Sequence, residues 1–542
     1  MTMKNKYIIT GILFLGLFVV ACNSFDMDIN EDPNNPSVAA PDLILASAIT
    51  NGMATFADGL NNAAHGWMRI TTSFDTYNMS ENTWNGTWNY LYSGPLKDLS
   101  DLKNSTEGVS PHYYGIAQIL EAYYFSIMVD MWGDVPFEEA FAGNAATQIK
   151  TPAFQDSQLI YAALLDQIDN GIASLTEPSP VSVGGDPIYG GDADLWTTFA
   201  NTLKLKLLLN LREVDASVAG DIDDLIDDDD LIDDEDEYFV FQFNKSIAPD
   251  DRHPWYIDAY GGADNEFSYI GHQFMVEMLR DLDPRVLYYL KRQTEITLNI
   301  DDPTDKQTIP CSQRTDCTYG YLVLNPNLSA LLNGNIPSNI AGYFGRDHGD
   351  PSGIPLDGAL RTALGVYPAG GLYDDEAEKA EKNNGNGAGI FPVMTGWMTK
   401  FLVAEAMLVN GTPGDPREMM EDAIVENMGY VESVSMSLDE DAVEMDATEV
   451  DDYVALALAN YDGATNKLNV VLKQAWFANF GNGFEMYNAY RRTGYPNDLQ
   501  TALQPVRDFP LRIPYTLDET NLNGDNVPST IYDQDRIFWD VD

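Results

Sequence analysis

The sequence predicts a mainly α-helical fold, in which helix pairs form a scaffold and a loop-rich part carries the ligand site. Apolar residues recur at the spacing of a helix face in several long stretches, and short turns join some of them. Between Phe239 and Gly389 this periodicity is mostly lost, and Pro, Gly, Asn and Asp become frequent. Paired helices of this kind are typical of α–α repeat scaffolds such as tetratricopeptide arrays, although no tetratricopeptide consensus can be read.

The best-defined predicted helix covers 110–131. Ser110 is placed to cap it, Pro111 suits its first turn, and apolar residues such as Ile116 and Leu120 follow at helical spacing. Further helices are predicted over 154–175, 195–214, 271–290, 395–409, 416–428 and 467–492, the last one bent near Gly481 and Gly483.

This pattern divides the chain into segments with different roles. We expect a lipoprotein signal peptide over 1–21, an acidic tether over 22–40 and one domain over 41–542. Within the domain, the helical scaffold covers 41–238 and 395–500, and the loop-rich insertion covers 239–394. Long loops in a compact domain often carry function, so we expect ligand-binding residues in the insertion.

The first 22 residues are typical of an exported lipoprotein. Lys4 and Lys6 precede an apolar run, which ends in the lipobox Val19-Val20-Ala21-Cys22. The run is short for a membrane span, so cleavage before Cys22 and diacylation of that cysteine are predicted. The lipid would tether the mature chain to a membrane. An ordinary secretory signal or a short membrane anchor is the alternative.

The charge of the chain excludes one class of partner. Its formal net charge is −54, and removal of residues 1–21, which hold two lysines and no acid, changes it to −56. Nucleic acids and anionic lipid surfaces are bound through Lys and Arg, so neither is expected as a partner. We interpret the acidity as favouring solubility rather than marking a site.

Two features leave alternatives open. Cys311 and Cys317 could close a small disulfide loop, which we favour over a metal site because no histidine is near them. The run Asp221–Glu237 holds 12 acidic residues in 17. It lacks the spacing of a known calcium loop, so we favour a solvated helix end whose apolar residues pack inward. No metal site is predicted.

No catalytic motif can be read in the chain. None of its five histidines lies in a His-Glu-x-x-His arrangement, and no Gly-x-Ser-x-Gly elbow occurs. Among 84 acidic residues, counting cannot exclude a pair suited to glycoside hydrolysis, so a surface glycoside hydrolase remains an alternative. An adhesion protein, another alternative, would predict internal β-repeats, and none can be read.

Aromatic residues are densest over 66–92, where asparagines separate them. Aromatic rings stack on the apolar faces of sugars, while amides bond the hydroxyls. Trp84, Trp88 and Tyr92 have helical spacing, so Trp88 and Tyr92 are assigned to the core. The ligand-binding candidates from this segment are Trp67, Tyr77, Trp84 and Asn85. Later clusters add Trp255 and Tyr256, beside His253, and Arg346 on a Gly-containing loop. For these two clusters packing within the loops is the favoured alternative, and Arg346 could instead pair with Asp347 or Asp350.

Five motifs in order resemble the SusD/RagB family of outer-membrane nutrient-binding lipoproteins of the Bacteroidetes. They are Tyr113-Tyr-Gly-Ile-Ala-Gln-Ile-Leu-Glu-Ala-Tyr-Tyr-Phe125 with Asp130-Met-Trp-Gly-Asp-Val-Pro-Phe137, Leu282-Asp-Pro-Arg285, Phe401-Leu-Val-Ala-Glu-Ala-Met407, the segment from Gln474 to Pro496, and Leu511-Arg-Ile-Pro-Tyr515. Ala475 replaces the lysine usual in the family, and Tyr487 stands where a tryptophan is common. We interpret the motifs as structural: Arg491 and Arg492 end a helix and can reach carboxylates such as Glu485.

The resemblance implies a lipid-anchored protein of the outer membrane that faces the cell exterior. It implies capture of an oligo- or polysaccharide and its delivery to a SusC-like TonB-dependent barrel transporter, without catalysis and without a cofactor. The expected partners are therefore that transporter, a glycan ligand and the membrane lipid. A peptide ligand is the alternative within the family.

Overall fold

The computed structural model describes residues 39–73, 75–144, 148–261, 268–292, 343, 345–351, 361–375, 380 and 384–541. The predicted signal peptide, the lipidation of Cys22 and the disulfide between Cys311 and Cys317 lie outside these residues. Within them, helices dominate, as the sequence predicts.

The secondary structure follows in chain order. The α-helices are α1 (Pro41–Thr55), α2 (Asn61–Trp67), α3 (Asn85–Ser93), α4 (Pro95–Thr106), α5 (Pro111–Trp132), α6 (Ser157–Leu175), α7 (Ala193–Leu211), α8 (Ala219–Asp227), α9 (Pro254–Tyr260), α10 (His272–Arg280), α11 (Val286–Tyr289), α12 (Gly396–Val409), α13 (Pro416–Leu438), α14 (Ala447–Gly463), α15 (Lys467–Ala478), α16 (Gly483–Thr493) and α17 (Leu517–Leu522). The strands are β1 (Thr71–Thr72), β2 (Val135–Pro136), β3 (Phe154–Gln155), β4 (Phe239–Gln242), β5 (Tyr269–Ile270), β6 (Leu290–Lys291), β7 (Ala363–Leu364) and β8 (Ile390–Met394).

The first helices form one continuous run. A π-helical turn, Phe56–Leu60, joins α1 to α2. By length and composition the run Pro41–Trp67 could cross a membrane, a test that core helices of soluble proteins also pass. Here α1 packs against α4 and α5, and its apolar residues, such as Leu45 and Met53, are buried.

Helix α5 is the centre of the scaffold. It packs against α4, α6 and α7, which explains why nearly its whole surface is buried and why its sequence is apolar on every side. Gly115 on α5 and Gly171 on α6 let the two backbones approach closely. A Cβ atom at Gly115 would lie 2.7 Å from the carbonyl oxygen of Gly171. Asp156 caps α6 by accepting hydrogen bonds from two backbone amides.

The C-terminal helices confirm the predicted helix pair and correct two boundaries. Helices α12 and α13 form the pair, but α13 continues to Leu438, ten residues beyond the predicted end at 428. The single bent helix predicted over 467–492 is two helices, α15 and α16, because the chain leaves the helix at Asn479 and Asn482 caps α16. Gly494 ends α16 with a left-handed conformation, φ 70°.

Short strand pairs tie the loops to the helices. All four described sheets have two antiparallel strands. The largest pairs β4 with β8, matching Gln242 to Ile390 and Phe239 to Met394. These strands begin and end the predicted insertion 239–394, so the two ends of that segment lie together. The domain boundaries themselves stay a prediction.

Candidate functional site

The aromatic candidates of the first segment lie in the interior. The Trp67 ring packs 4.8 Å from the Tyr487 ring. Tyr77 is packed between His348 and Phe509, and the indole nitrogen of Trp84 donates to the sulfur of Met79. None of the three rings has an open face toward solvent.

Asn85 is engaged with the C-terminal part of the chain. Its Nδ2 donates to the carboxylate of Asp518 over 2.7 Å, and its Oδ1 accepts from the Asp518 amide over 2.9 Å. Trp88, one helical turn later, donates to Glu519. Asn85 therefore fastens α17 to the beginning of α3.

The later candidates are also buried. The Trp255 ring meets His65 edge-on, with 4.7 Å between the centroids. Tyr256 stacks on Tyr260, and its hydroxyl donates to the backbone of Asn384. The guanidinium carbon of Arg346 lies over the ring of Tyr269, 3.8 Å from the centroid. Ligand contact by the seven predicted residues stays a prediction, and the structure provides a packing role for each of them.

A different aromatic residue faces solvent. All nine tryptophans of the chain lie within the described residues and are buried. Among the described aromatic side chains Tyr90 is the one that is well exposed, at 44%. Tyr90 lies on α3, the helix that carries Trp88 and Tyr92. On a helix, residue 90 points about 200° away from residue 88, so Tyr90 projects from the side opposite the buried stripe.

Tyr90 stands at the edge of an open groove of about 710 Å³. One wall comes from the end of α1 and the π-helical turn, and the other from the end of β4, the loop that follows it and the start of α9. The lining residues are Thr50, Asn51, Ala54, Thr55, Asp58, Gly59, Gly86, Thr87, Tyr90, Phe241, Gln242, Phe243, Asn244, Asp250, Asp251, Arg252, Pro254 and Ile257. An exposed ring beside amides, hydroxyls and carboxylates can bind a sugar through both its apolar face and its hydroxyls.

The loop after β4 is held in shape by its own side chains. The Asn244 side chain accepts from the Ser246 amide over 2.8 Å, which forms a turn. Arg252 forks onto Asp250, with Nε–Oδ1 and Nη2–Oδ2 distances of 2.8 and 2.7 Å. These hydrogen bonds lower the pKa of Asp250.

Asp58, on the opposite wall, lies in an unusual piece of backbone. It belongs to the π-helical turn, and its φ and ψ of −87° and −135° depart from helical values. Burial of the carboxyl group raises its pKa, and a hydrogen bond from the Gly59 amide opposes that shift. Irregular helical turns of this type are frequent at functional sites.

Behind the groove, α9 carries the buried candidates Trp255 and Tyr256. His253 caps this helix by accepting from the Trp255 amide, and burial lowers the pKa of His253 to about 3. Trp255 and Tyr256 thus lie on the helix that forms one wall of the groove, while Tyr90 lies at its surface.

The acidic run 221–237 has the arrangement favoured from its sequence, with exposed carboxylates and apolar residues that pack inward. Ile222 and Ile232 are buried, while most of its carboxylates are exposed. Asp230 accepts hydrogen bonds from Thr198 and Asn201. Among the described residues, no group of three or more His, Cys, Asp or Glu side chains is arranged to hold a metal ion.

Comparison with known proteins decides the family. The sequence model of the SusD-like family, described as "Starch-binding associating with outer membrane", matches residues 33–302 and 371–515, well over half of the chain. The chain belongs to the SusD-like family. No curated protein matches it in sequence.

Solved structures share the fold over nearly the whole chain. A SusD/RagB family protein from Bacteroides thetaiotaomicron has a TM-score of 0.68 and 19% identity, covering 92% of this chain and 99% of its own. A SusD homologue from Bacteroides uniformis has a TM-score of 0.64 and 17% identity, with 92% and 99% covered. A chitin-binding SusD homologue from Flavobacterium johnsoniae has a TM-score of 0.58 and 18% identity, with 92% and 97% covered.

The motifs that carry the resemblance form the buried polar interior of this fold. The carboxylate of Asp130 accepts hydrogen bonds from Tyr161, from Asn488 over 2.6 Å and from the Trp539 indole over 3.1 Å. Burial raises the pKa of Asp130, and the charge of Lys206 opposes the shift. These side chains are buried, so this motif contributes to the stability of the fold.

The arginine pair corrects one expectation. Arg492 pairs with Glu405, with Nε–Oε1 and Nη2–Oε2 distances of 2.7 and 2.8 Å. Arg491 donates to the backbone of Leu511 and to the side chain of Asn488. Glu485, which the sequence suggested as their partner, instead accepts from Lys206 on α7, because that lysine is buried beside it.

Proposed function

We propose that this chain is a cell-surface binding protein that captures an oligo- or polysaccharide in the groove beside Tyr90. The observation that carries the proposal is the single well-exposed aromatic ring of the described residues, at the edge of a groove lined by amides, hydroxyls and carboxylates. The ring would stack on a sugar face, and the polar side chains would bond hydroxyls. Membership of a family described as starch-binding supports this ligand class. The proposal contains no catalytic step.

We further propose that Cys22 is lipidated and that the protein works at the outer membrane, facing the exterior. In this arrangement it delivers the captured glycan to a SusC-like TonB-dependent barrel transporter. The lipobox at 19–22 and the description of the family as associating with the outer membrane support the location. Co-purification of the full-length lipoprotein with a barrel protein from detergent extracts tests the partnership, and purification without one contradicts it.

The binding site is tested by affinity electrophoresis of residues 23–542 in gels that contain different polysaccharides. One glycan is expected to retard the wild type. Tyr90→Ala is expected to lose most of this retardation because it removes the exposed ring, whereas Tyr90→Phe keeps it. Tyr114→Ala, which replaces a partly exposed tyrosine on α5 outside the groove, is the matched control.

The Tyr90 variants also separate binding from folding. An exposed ring contributes little to the core, so Tyr90→Ala should change the free energy of unfolding by less than about 0.5 kcal/mol. Retardation that survives in Tyr90→Ala would move the site away from the groove. Trp67→Ala and Trp84→Ala then test the buried candidates. If no glycan retards the wild type, the glycan proposal fails and peptides become the next ligands to test.

A further inference from the structure

We propose that the groove selects its ligand by charge: it binds uncharged or amino-bearing sugars and rejects glycans with carboxylate or sulfate groups. This inference rests on the proposed function and names the class of glycan that the same groove accepts. It follows from the charges that line the groove and from the field around it.

The described residues that line the groove carry three carboxylates, those of Asp58, Asp250 and Asp251, and one guanidinium, that of Arg252. The guanidinium is not available as a separate anion site, because it forks onto Asp250 within the loop. Asp58 and Asp251 therefore make the net charge of the groove negative. Lys245, the other cation of this loop, is exposed and is not among the lining residues. Counting it still leaves one excess negative charge.

The rest of the molecule adds to this local charge. With a net charge of −54, the protein surrounds the groove with a negative field, and a cleft with low-dielectric walls concentrates such a field. An acidic sugar placed on Tyr90 would lose hydration and meet carboxylates of its own sign. Juxtaposed like charges weaken an interaction strongly.

The remaining contacts suit a neutral sugar. Stacking on Tyr90 requires an apolar sugar face and no charge. Carboxylates and amide oxygens accept hydrogen bonds from hydroxyl groups, and carboxylates accept shorter, stronger bonds from an ammonium group. Asp58 and Asp251, on opposite walls of the groove, can therefore bind hydroxyl or amino groups of a sugar that lies between them.

The test uses polysaccharides that share one backbone and carry substituents of different charge. Neutral polysaccharides, their carboxymethylated derivatives and their aminated derivatives are titrated against the mature chain at low salt. For each neutral polymer that binds, the affinity of the carboxymethyl derivative should be lower by at least about tenfold. Its aminated derivative should bind at least as well as the parent. Raising the salt concentration should bring the affinities of the carboxymethylated and aminated derivatives closer to that of the neutral parent, since screening weakens interactions between exposed charges.

Two double variants show whether the groove or the whole field is responsible. Asp58→Asn with Asp251→Asn removes two charges from the groove, while Asp451→Asn with Asp452→Asn removes two exposed charges from α14. The net charge changes equally in both. The carboxymethyl derivative should gain severalfold in affinity with the first variant only.

The outcomes separate the two proposals. Charge selection by the groove would be overturned if the neutral and carboxymethylated forms bound equally well. It would also be overturned if both double variants raised the affinity for the carboxymethyl derivative by the same factor. Either result would leave glycan binding intact. No binding of any polymer to the wild type would overturn glycan binding itself. Thermal melts of both variants establish that they are folded, and the salt dependence of the wild type tests the idea without any variant.

Discussion

The interior around Asp130 and the groove around Tyr90 both contain polar and aromatic side chains. In the interior the polar groups are hydrogen-bonded within the protein, whereas in the groove several of them are open to water. In the interior, Asp130, Arg492 and Glu405 are buried, Arg492 donates directly to Glu405, and Asp130 accepts from Asn488. In the groove, Tyr90 and Asp251 are exposed, and among the lining residues Arg252 and Asp250 form an ion pair. Saturated polar groups stabilise a fold, whereas groups still open to water can exchange it for a ligand.

The comparison also shows that the motifs shared with the family and the residues that line the groove are different parts of the sequence. The family motifs place Asp130, Trp132 and Arg285 in the core, where Arg285 bonds Asp283, Asn427 and Tyr453. The residues of the groove belong to no such motif. We therefore expect that family members with different ligands differ in sequence at positions like Tyr90, outside the shared motifs.

The largest expected effect comes from breaking the buried ion pair. Arg492→Ala removes the two direct hydrogen bonds to the buried Glu405 and leaves that carboxylate with only the more distant guanidinium of Arg212, 3.9 Å away. The variant should cost about 3 kcal/mol of unfolding free energy, measured by urea denaturation. The matched control is Arg417→Ala, which removes an exposed pair with Asp462, 3.0 Å between Nε and Oδ1. That variant should leave the denaturation midpoint nearly unchanged. Equal losses in both would show that burial does not distinguish these pairs.

The second effect is a loss of stability in mild acid from buried histidines. Burial lowers the pKa of His272 to about 3 and that of His65 to about 4. Above about pH 6.5 the ring is neutral in both the folded and the unfolded chain. Below that pH only the unfolded chain takes up the proton, so stability falls as the pH drops from 6.5 toward the folded pKa. Each such histidine should cost about 2 kcal/mol at pH 5.

His272→Leu tests this effect, because it removes one of the buried rings. The unfolding free energy of this variant should fall about 2 kcal/mol less than that of the wild type between pH 7 and pH 5. His112→Gln, which replaces a histidine outside the core, is the control. An unchanged slope in His272→Leu would mean that water reaches this part of the interior.

The smallest effect concerns the wall of the groove. Gly86 lies in the first turn of α3, and a Cβ atom added there would have no heavy atom within 4 Å. Gly86→Ala should therefore raise the unfolding free energy by about 0.5–1 kcal/mol through helix propensity alone. Gly429→Ala on α13, where a Cβ also meets nothing, should give the same gain away from the groove. A loss of stability in Gly86→Ala alone would show that the groove is closed at this position.

Much of the scaffold could be predicted because its signals are local. The helix predicted over 110–131 is observed at Pro111–Trp132, one residue from the prediction at each end. Capping residues, glycine and helical periodicity act within a few residues of one another. The break between α15 and α16 was harder to place, because Asn482 is held by the distant strand β8 through the backbone of Pro392 and Val393.

The sequence by itself determined the helical class and the family, since helical periodicity and each family motif depend on residues that are close together in the chain. The lipobox at 19–22 stays a prediction. Tertiary structure decided which aromatic rings face solvent. Trp84 and Tyr90 lie six positions apart, yet one is covered and the other is exposed. Asn85 is taken up by Asp518, more than 400 residues away, and the groove joins α1, α3 and the loop after β4. Exposure depends on what packs from elsewhere in the chain, and a local pattern contains no information about that.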